Sequence, residues 1–84
     1  MSTKEKLIER FMLQPKDFTW DELVRLFGLL GFIASNRGKT SGSRVCFKNG
    51  NFNFYIHKPH PSSVIKRSVL TVVLNYLKIN DFIK

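Results

Sequence analysis

The chain carries a single cysteine, Cys46, which excludes an intramolecular disulfide and a cysteine-rich zinc site. A reducing cytoplasm suits such usage best. No apolar run approaches the roughly 20 residues that span a bilayer, so no membrane partner is expected. The opening Ser2-Thr3-Lys4-Glu5-Lys6 is charged and lacks the apolar block and small-residue cleavage site of a signal peptide. Repeats and low-complexity blocks are missing too. Acid is scarce where base is abundant. Residues 1–36 hold five basic and five acidic side chains, whereas residues 37–84 hold nine basic ones against Asp81 alone. The whole net charge of +8 therefore falls in the second half. A field of one sign favours polyanions, and nucleic acid is the commonest of them in a cytoplasm.

What is present fits one domain over residues 1–84, with eight phenylalanines to build its core. Leu7, Ile8, Phe11 and Met12 are spaced for one face of a helix over residues 3–13, which Gln14-Pro15-Lys16-Asp17 should end. Thr19-x-x-Glu22 is a capping box opening a second helix. Trp20, Leu23, Val24, Phe27 and Leu30 form its apolar face, and Gly31 is its stop. Trp20, in the first turn, reads as a core residue rather than a stacking platform.

Phe32 to Asn36 reads as a short strand, and Arg37-Gly38-Lys39-Thr40-Ser41-Gly42 as a basic loop. Gly38-Lys39-Thr40 matches the end of a Walker A motif, but Ile33 stands where its first glycine belongs, so nucleotide triphosphate binding is rejected. Ser43 to Lys48 alternates, with Val45 and Phe47 toward a core. Asn49-Gly50-Asn51 marks a tight hairpin turn. Phe52, Phe54 and Ile56 then face inward, leaving Asn53, Tyr55 and His57 on the far side, across from Arg44 and Cys46. Cys46 is read as an ordinary strand residue, not a nucleophile. Ser62 or Ser63 offers an N-cap for a last helix from Val64 to Lys78, whose face is Ile65, Val69, Val72, Val73, Tyr76 and Leu77. The order α-α-β-β-β-α predicts an α+β fold, a three-stranded antiparallel sheet with helices on one face and an extra N-terminal helix.

Two prolines confine the stretch His57-Lys58-Pro59-His60-Pro61-Ser62-Ser63, leaving His60 little backbone freedom. A helix N-terminus just beyond it attracts phosphate, and Lys58, Lys66 and Arg67 flank it. Histidine suits a general base, since an imidazole ordinarily titrates near pH ~6.5. His60 is the first candidate base and His57 the second, with Arg44 steadying charge on phosphorus. Arg37, Lys39, Arg44, Lys58, Lys66 and Arg67 are the candidate phosphate contacts. His57-x-x-His60 does not read as a metal pair, because Pro59 bars a helix between them and carboxylates are lacking nearby. No metal and no cofactor is expected.

These pieces together resemble the HicA toxin family over about residues 19–78, with residues 1–18 as a helical extension. The resemblance rests on Leu30-Gly31-Phe32, the run Arg37-Gly38-Lys39-Thr40-Ser41-Gly42-Ser43-Arg44-Val45, the hairpin, His57-Lys58-Pro59-His60-Pro61 and Ile65-Lys66-Arg67. It implies a fold like that of double-stranded-RNA-binding domains (dsRBD-like). It also implies a metal-independent endoribonuclease acting on mRNA in the cytoplasm and silenced by a HicB-type antitoxin. In one place the chain departs from that family. The family's catalytic histidine follows a Gly-Ser pair, but Gly42-Ser43 is followed by Arg44, and arginine stays protonated. The base has then moved to His60 or His57, or binding remains without cleavage. A non-catalytic RNA-binding module and a basic protein-interaction domain are the alternatives.

Overall fold

The Thr19–Glu22 capping box forms as the sequence requires. The Thr19 hydroxyl accepts from the Glu22 N–H at 3.2 Å, and Glu22 Oε1 accepts from the Thr19 N–H at 2.9 Å. In the computed structural model, residues 3–35, 44–59 and 62–83 are described. The elements run α1 (Thr3–Met12), α2 (Trp20–Leu29), β1 (Ile33–Ser35), β2 (Arg44–Asn49), β3 (Phe52–His57) and α3 (Arg67–Ile79). The sheet is antiparallel with order β1-β2-β3, so the expected α+β architecture and its α-α-β-β-β-α order hold.

Helices α2 and α3 cover one face of the sheet. Phe27 of α2 stacks on Phe47 of β2 at 4.1 Å between ring centroids and lies 5.7 Å from Phe54 of β3. Tyr76 of α3 meets Phe54 from the other side at 4.7 Å. Trp20 is buried against Phe47, which bears out its core role. α1 packs on α2 and α3, burying Leu7 and Phe11. No buried polar side chain interrupts this core among the described residues. Three residues expected inside, Met12 among them, stand further out. Phe52 closes the end of the sheet at 38% exposure, and Val72 lies on the solvent side of α3 at 59%.

Each helix ends on a residue of positive φ. Gly31 (φ 93°) follows α2, donating to Gly28 O at 3.1 Å while Phe32 donates to Phe27 O at 2.9 Å. The positive φ calls for glycine at position 31, and a Cβ there, 2.9 Å from Asn49 Nδ2, would also push the Asn49 amide away from its bond to Leu30 O. Asp81 (φ 63°) repeats the same two-bond closure after α3, with Phe82 donating to Leu77 O at 2.8 Å. Gln14 (φ 51°) closes α1 with one bond, because Pro15 has no N–H for the second.

The last helix starts later than the sequence predicted. It begins at Arg67 with Lys66 at the N-cap, not at Val64 behind Ser62 or Ser63. Those residues are held extended against the start of α2. The Trp20 N–H donates to Ser63 O at 2.7 Å, the Ile65 N–H donates to Phe18 O at 2.8 Å, and Thr19 and Val64 pair as an antiparallel bridge. A helix starting at Val64 would claim the Ser63 carbonyl for its own first turn, and β-branched Val64 and Ile65 favour the extended state anyway.

Arg10 ties α1 to this region. Its Nε donates to Glu22 Oε2 at 2.7 Å and its Nη2 to Asp17 Oδ1 at 3.2 Å. The hydrogen bond from Arg10 holds the Glu22 carboxyl below its ordinary value of 4.5, against partial burial, with the Thr19 N–H helping. A carboxylate depressed in the fold contributes stability that is complete above its unfolded pKa and lost as pH falls through the folded one. Glu22→Gln should therefore be less stable than the parent at about pH 7, with the difference shrinking below about pH 4.5. Urea midpoints at about pH 7 and about pH 3 test this, and a constant difference would assign the effect to packing.

Candidate nucleic-acid interface

The same alternation that buries Val45 and Phe47 turns Arg44, Cys46 and Lys48 to the uncovered side of the sheet. On β3 it turns out Asn53, Tyr55 and His57. The turn fixes how they meet. β2 ends at Asn49 and β3 begins at Phe52, so Gly50 and Asn51 are its only residues, and Gly50 takes φ 59° without the cost of a Cβ. Register then follows by counting: Lys48 faces Asn53, Cys46 faces Tyr55 and Arg44 faces His57. The expected pairing of Tyr55 and His57 with Arg44 and Cys46 is thus observed.

The Arg44 guanidinium carbon lies 4.9 Å from the Tyr55 ring centroid, a diagonal cation–π contact that aligns the cation along the sheet. The three strands contain no aspartate or glutamate. Arg44, Lys48, Tyr55 and His57 all stand exposed. This open face therefore offers cationic donors, an aromatic ring and an imidazole, with no carboxylate on the strands to oppose an anion.

At the end of β3 the face runs into a groove of about 430 Å³. Ile56, Ile65 and Val69 line its apolar part, and His57, Lys58 and Lys66 bring the polar groups. One side of the groove, Val64 and Ile65, belongs to the segment strapped to Phe18–Trp20. Ser62 contributes a local turn, its Oγ accepting from the Val64 N–H at 3.1 Å. The first turn of α3 has no acidic residue, and its N-cap Lys66 makes no side-chain capping bond. Lys66 and Arg67 thus put positive charge at the positive end of the helix dipole, an arrangement that favours an anion there.

Of the sequence-derived candidates, the fold joins His57 to Arg44 across the sheet and to Lys58 and Lys66 around the groove. Arg67 is exposed at the start of α3 and does not line the groove. Arg37, Lys39 and His60 lie outside the described residues. Strand alternation in the sequence puts Lys48 on the same face as Arg44 and Cys46, where it stands exposed, yet it was not among the candidate phosphate contacts. Sequence reasoning also overlooked the apolar part of the groove, for which no local signal exists. Among the described residues, no three His, Cys, Asp or Glu side chains gather to hold a metal ion. Nor is any described helix long and apolar enough to cross a membrane. No protein-family model, curated protein or solved structure matches the chain.

Proposed function

We propose that this protein is a small toxin-type endoribonuclease that cleaves mRNA without metal and is neutralised in the cytoplasm by a HicB-type antitoxin. The observation that carries the reading is the pairing of Arg44 with His57 on a sheet face whose strands lack carboxylates. The resemblance to the HicA family supports it through the loop, hairpin and His57-Lys58-Pro59-His60-Pro61 stretch. In the proposed reaction an imidazole, from His57 or His60, takes the proton of a ribose 2′-OH. The 2′-oxygen bonds to the adjacent phosphorus and the bond to the 5′-oxygen breaks, the leaving oxygen taking up a proton. The products are a 2′,3′-cyclic phosphate and a 5′-hydroxyl. Arg44, Lys58 and Lys66 offset the negative charge that builds on the phosphoryl oxygens. Arg37, Lys39 and Arg67 are assigned to holding the strand on either side.

Arg44 favours one second reading. It occupies the position after Gly42-Ser43 where the family carries its histidine, and an arginine binds phosphate without accepting a proton. A non-catalytic RNA-binding module is the result if no other base serves. End-labelled mRNA incubated with the purified protein in EDTA tests both. Fragments ending in cyclic phosphate are expected. RNA that is bound in a salt-sensitive manner but stays intact would leave only the second reading, and RNA neither bound nor cut would sink both.

A further inference from the structure

We infer that the groove between the end of β3 and the start of α3 receives one unpaired nucleobase, so that the preferred ligand is single-stranded rather than duplex RNA. The inference rests on the RNA reading above and adds the form of strand that the site takes. A sheet face of cations alone would bind any phosphate backbone, duplex or single, because phosphate contacts carry no information about the base. The groove is different in chemistry. Ile56, Ile65 and Val69 give it an apolar wall, and its volume of about 430 Å³ is large enough for a base with its ribose. That size falls in the range of small-ligand sites, roughly 300–1,000 Å³.

Beside the Ser62 hydroxyl, its ionisable groups are all basic. Lys58 and Lys66 contribute ammonium groups, His57 an imidazole, and no described lining residue is acidic. An apolar hollow beside two ammonium groups matches the two ends of a nucleotide, a flat base and a charged phosphate. The groove also adjoins the cationic sheet face at the end of β3, since His57 lines it and faces Arg44 on the neighbouring strand. A backbone held by Arg44 and Lys58 would thus pass the groove mouth. A duplex keeps its bases stacked and paired, and cannot place one in a side hollow without unpairing it. A single strand turns a base out at little cost.

The test compares fluorescence anisotropy of three labelled RNA probes with the full chain. These are a single-stranded oligonucleotide, the same sequence annealed to its complement, and the same strand with its bases removed. The intact single strand is expected to bind about tenfold or more tighter than the base-free strand, the scale of one buried or stacked base. The duplex is expected to bind no better than the base-free strand. Val69→Met, which extends a side chain into the groove, should lower affinity for the intact strand and leave the base-free strand unchanged. Lys58→Ala should weaken all probes alike and reduce the salt slope by about one. Equal binding of intact and base-free strands would overturn the groove assignment while leaving the RNA reading in place. Tightest binding of the duplex would do the same. Absence of binding to every probe would overturn the RNA reading and the groove with it.

Discussion

Phe27→Ala is expected to cost the fold about 4 kcal/mol, within the roughly 3–5 kcal/mol typical of emptying a buried phenylalanine site. Phe27 is fully buried and is the shared member of an aromatic cluster. It stacks on Phe47 at 4.1 Å, meets Phe32 edge-on at 5.0 Å and lies 5.7 Å from Phe54. Each such pair adds about 0.5–1.5 kcal/mol beyond area alone, and all three are lost together. For a chain of 84 residues the total stability is roughly 4–13 kcal/mol, so one substitution removes a third or more of it. A fall in melting temperature of roughly 15–30 °C follows for a domain of this size. Trp20, the chain's one tryptophan, is buried against Phe47 and reports the transition by fluorescence. Phe52→Ala supplies the contrast, because Phe52 is 38% exposed and, among the described residues, pairs with one aromatic ring, that of Phe82. Similar losses for the two variants would mean that the cluster is not where the core is anchored.

The parts of the fold that were legible in the sequence are those fixed by neighbours along the chain. Thr19 and Glu22 carry complementary groups three residues apart, and a helix start is the one arrangement that satisfies both. Gly31 and Gly50 stand where positive φ is needed, so their places mark a stop and a turn. Alternation from Arg44 to His57 gave the two faces of the hairpin, and the turn gave its register. The start of α3 was not legible. Its position depends on Ser63, Val64 and Ile65 pairing with Phe18, Thr19 and Trp20, segments far apart in sequence. Ser62 and Ser63 looked like caps because local pattern cannot register a distant strand that claims the same backbone groups. Phe52 and Val72 show a second limit. Periodicity assigns a residue to a face but not how far along that face the neighbouring element extends.

The candidate site divides the same way. The meeting of Arg44 with His57 follows from strand alternation and a two-residue turn, both readable in the sequence. The groove does not, because one of its sides, Val64 and Ile65, is placed by pairing with Phe18–Trp20, far away in sequence, rather than by any motif. The histidine that ranked second in the sequence, His57, is the one that the described residues tie to both the sheet face and the groove. Its neighbours make it the more informative substitution.

His57→Ala is expected to lower RNA cleavage in EDTA by at least about a hundredfold, the lower end of what a general base supplies. RNA binding should change far less, because Arg44, Lys58 and Lys66 remain to hold phosphate. His57 is exposed at the end of β3, so its removal should leave the melting temperature near that of the parent. That separation between cleavage and binding distinguishes a base from a structural imidazole. Arg44→Ala should behave differently, weakening binding and cleavage together, since a cation on phosphate acts in ground state and transition state alike. The double variant should lose little more than His57→Ala alone if the two act on one phosphate as a unit. His60→Ala completes the set. Cleavage that survives His57→Ala but disappears with His60→Ala would place the base at His60, the choice the sequence favoured, and leave His57 a groove-lining residue. Cleavage that survives both would remove histidine from the proton transfer, and with it the chemistry proposed for this face.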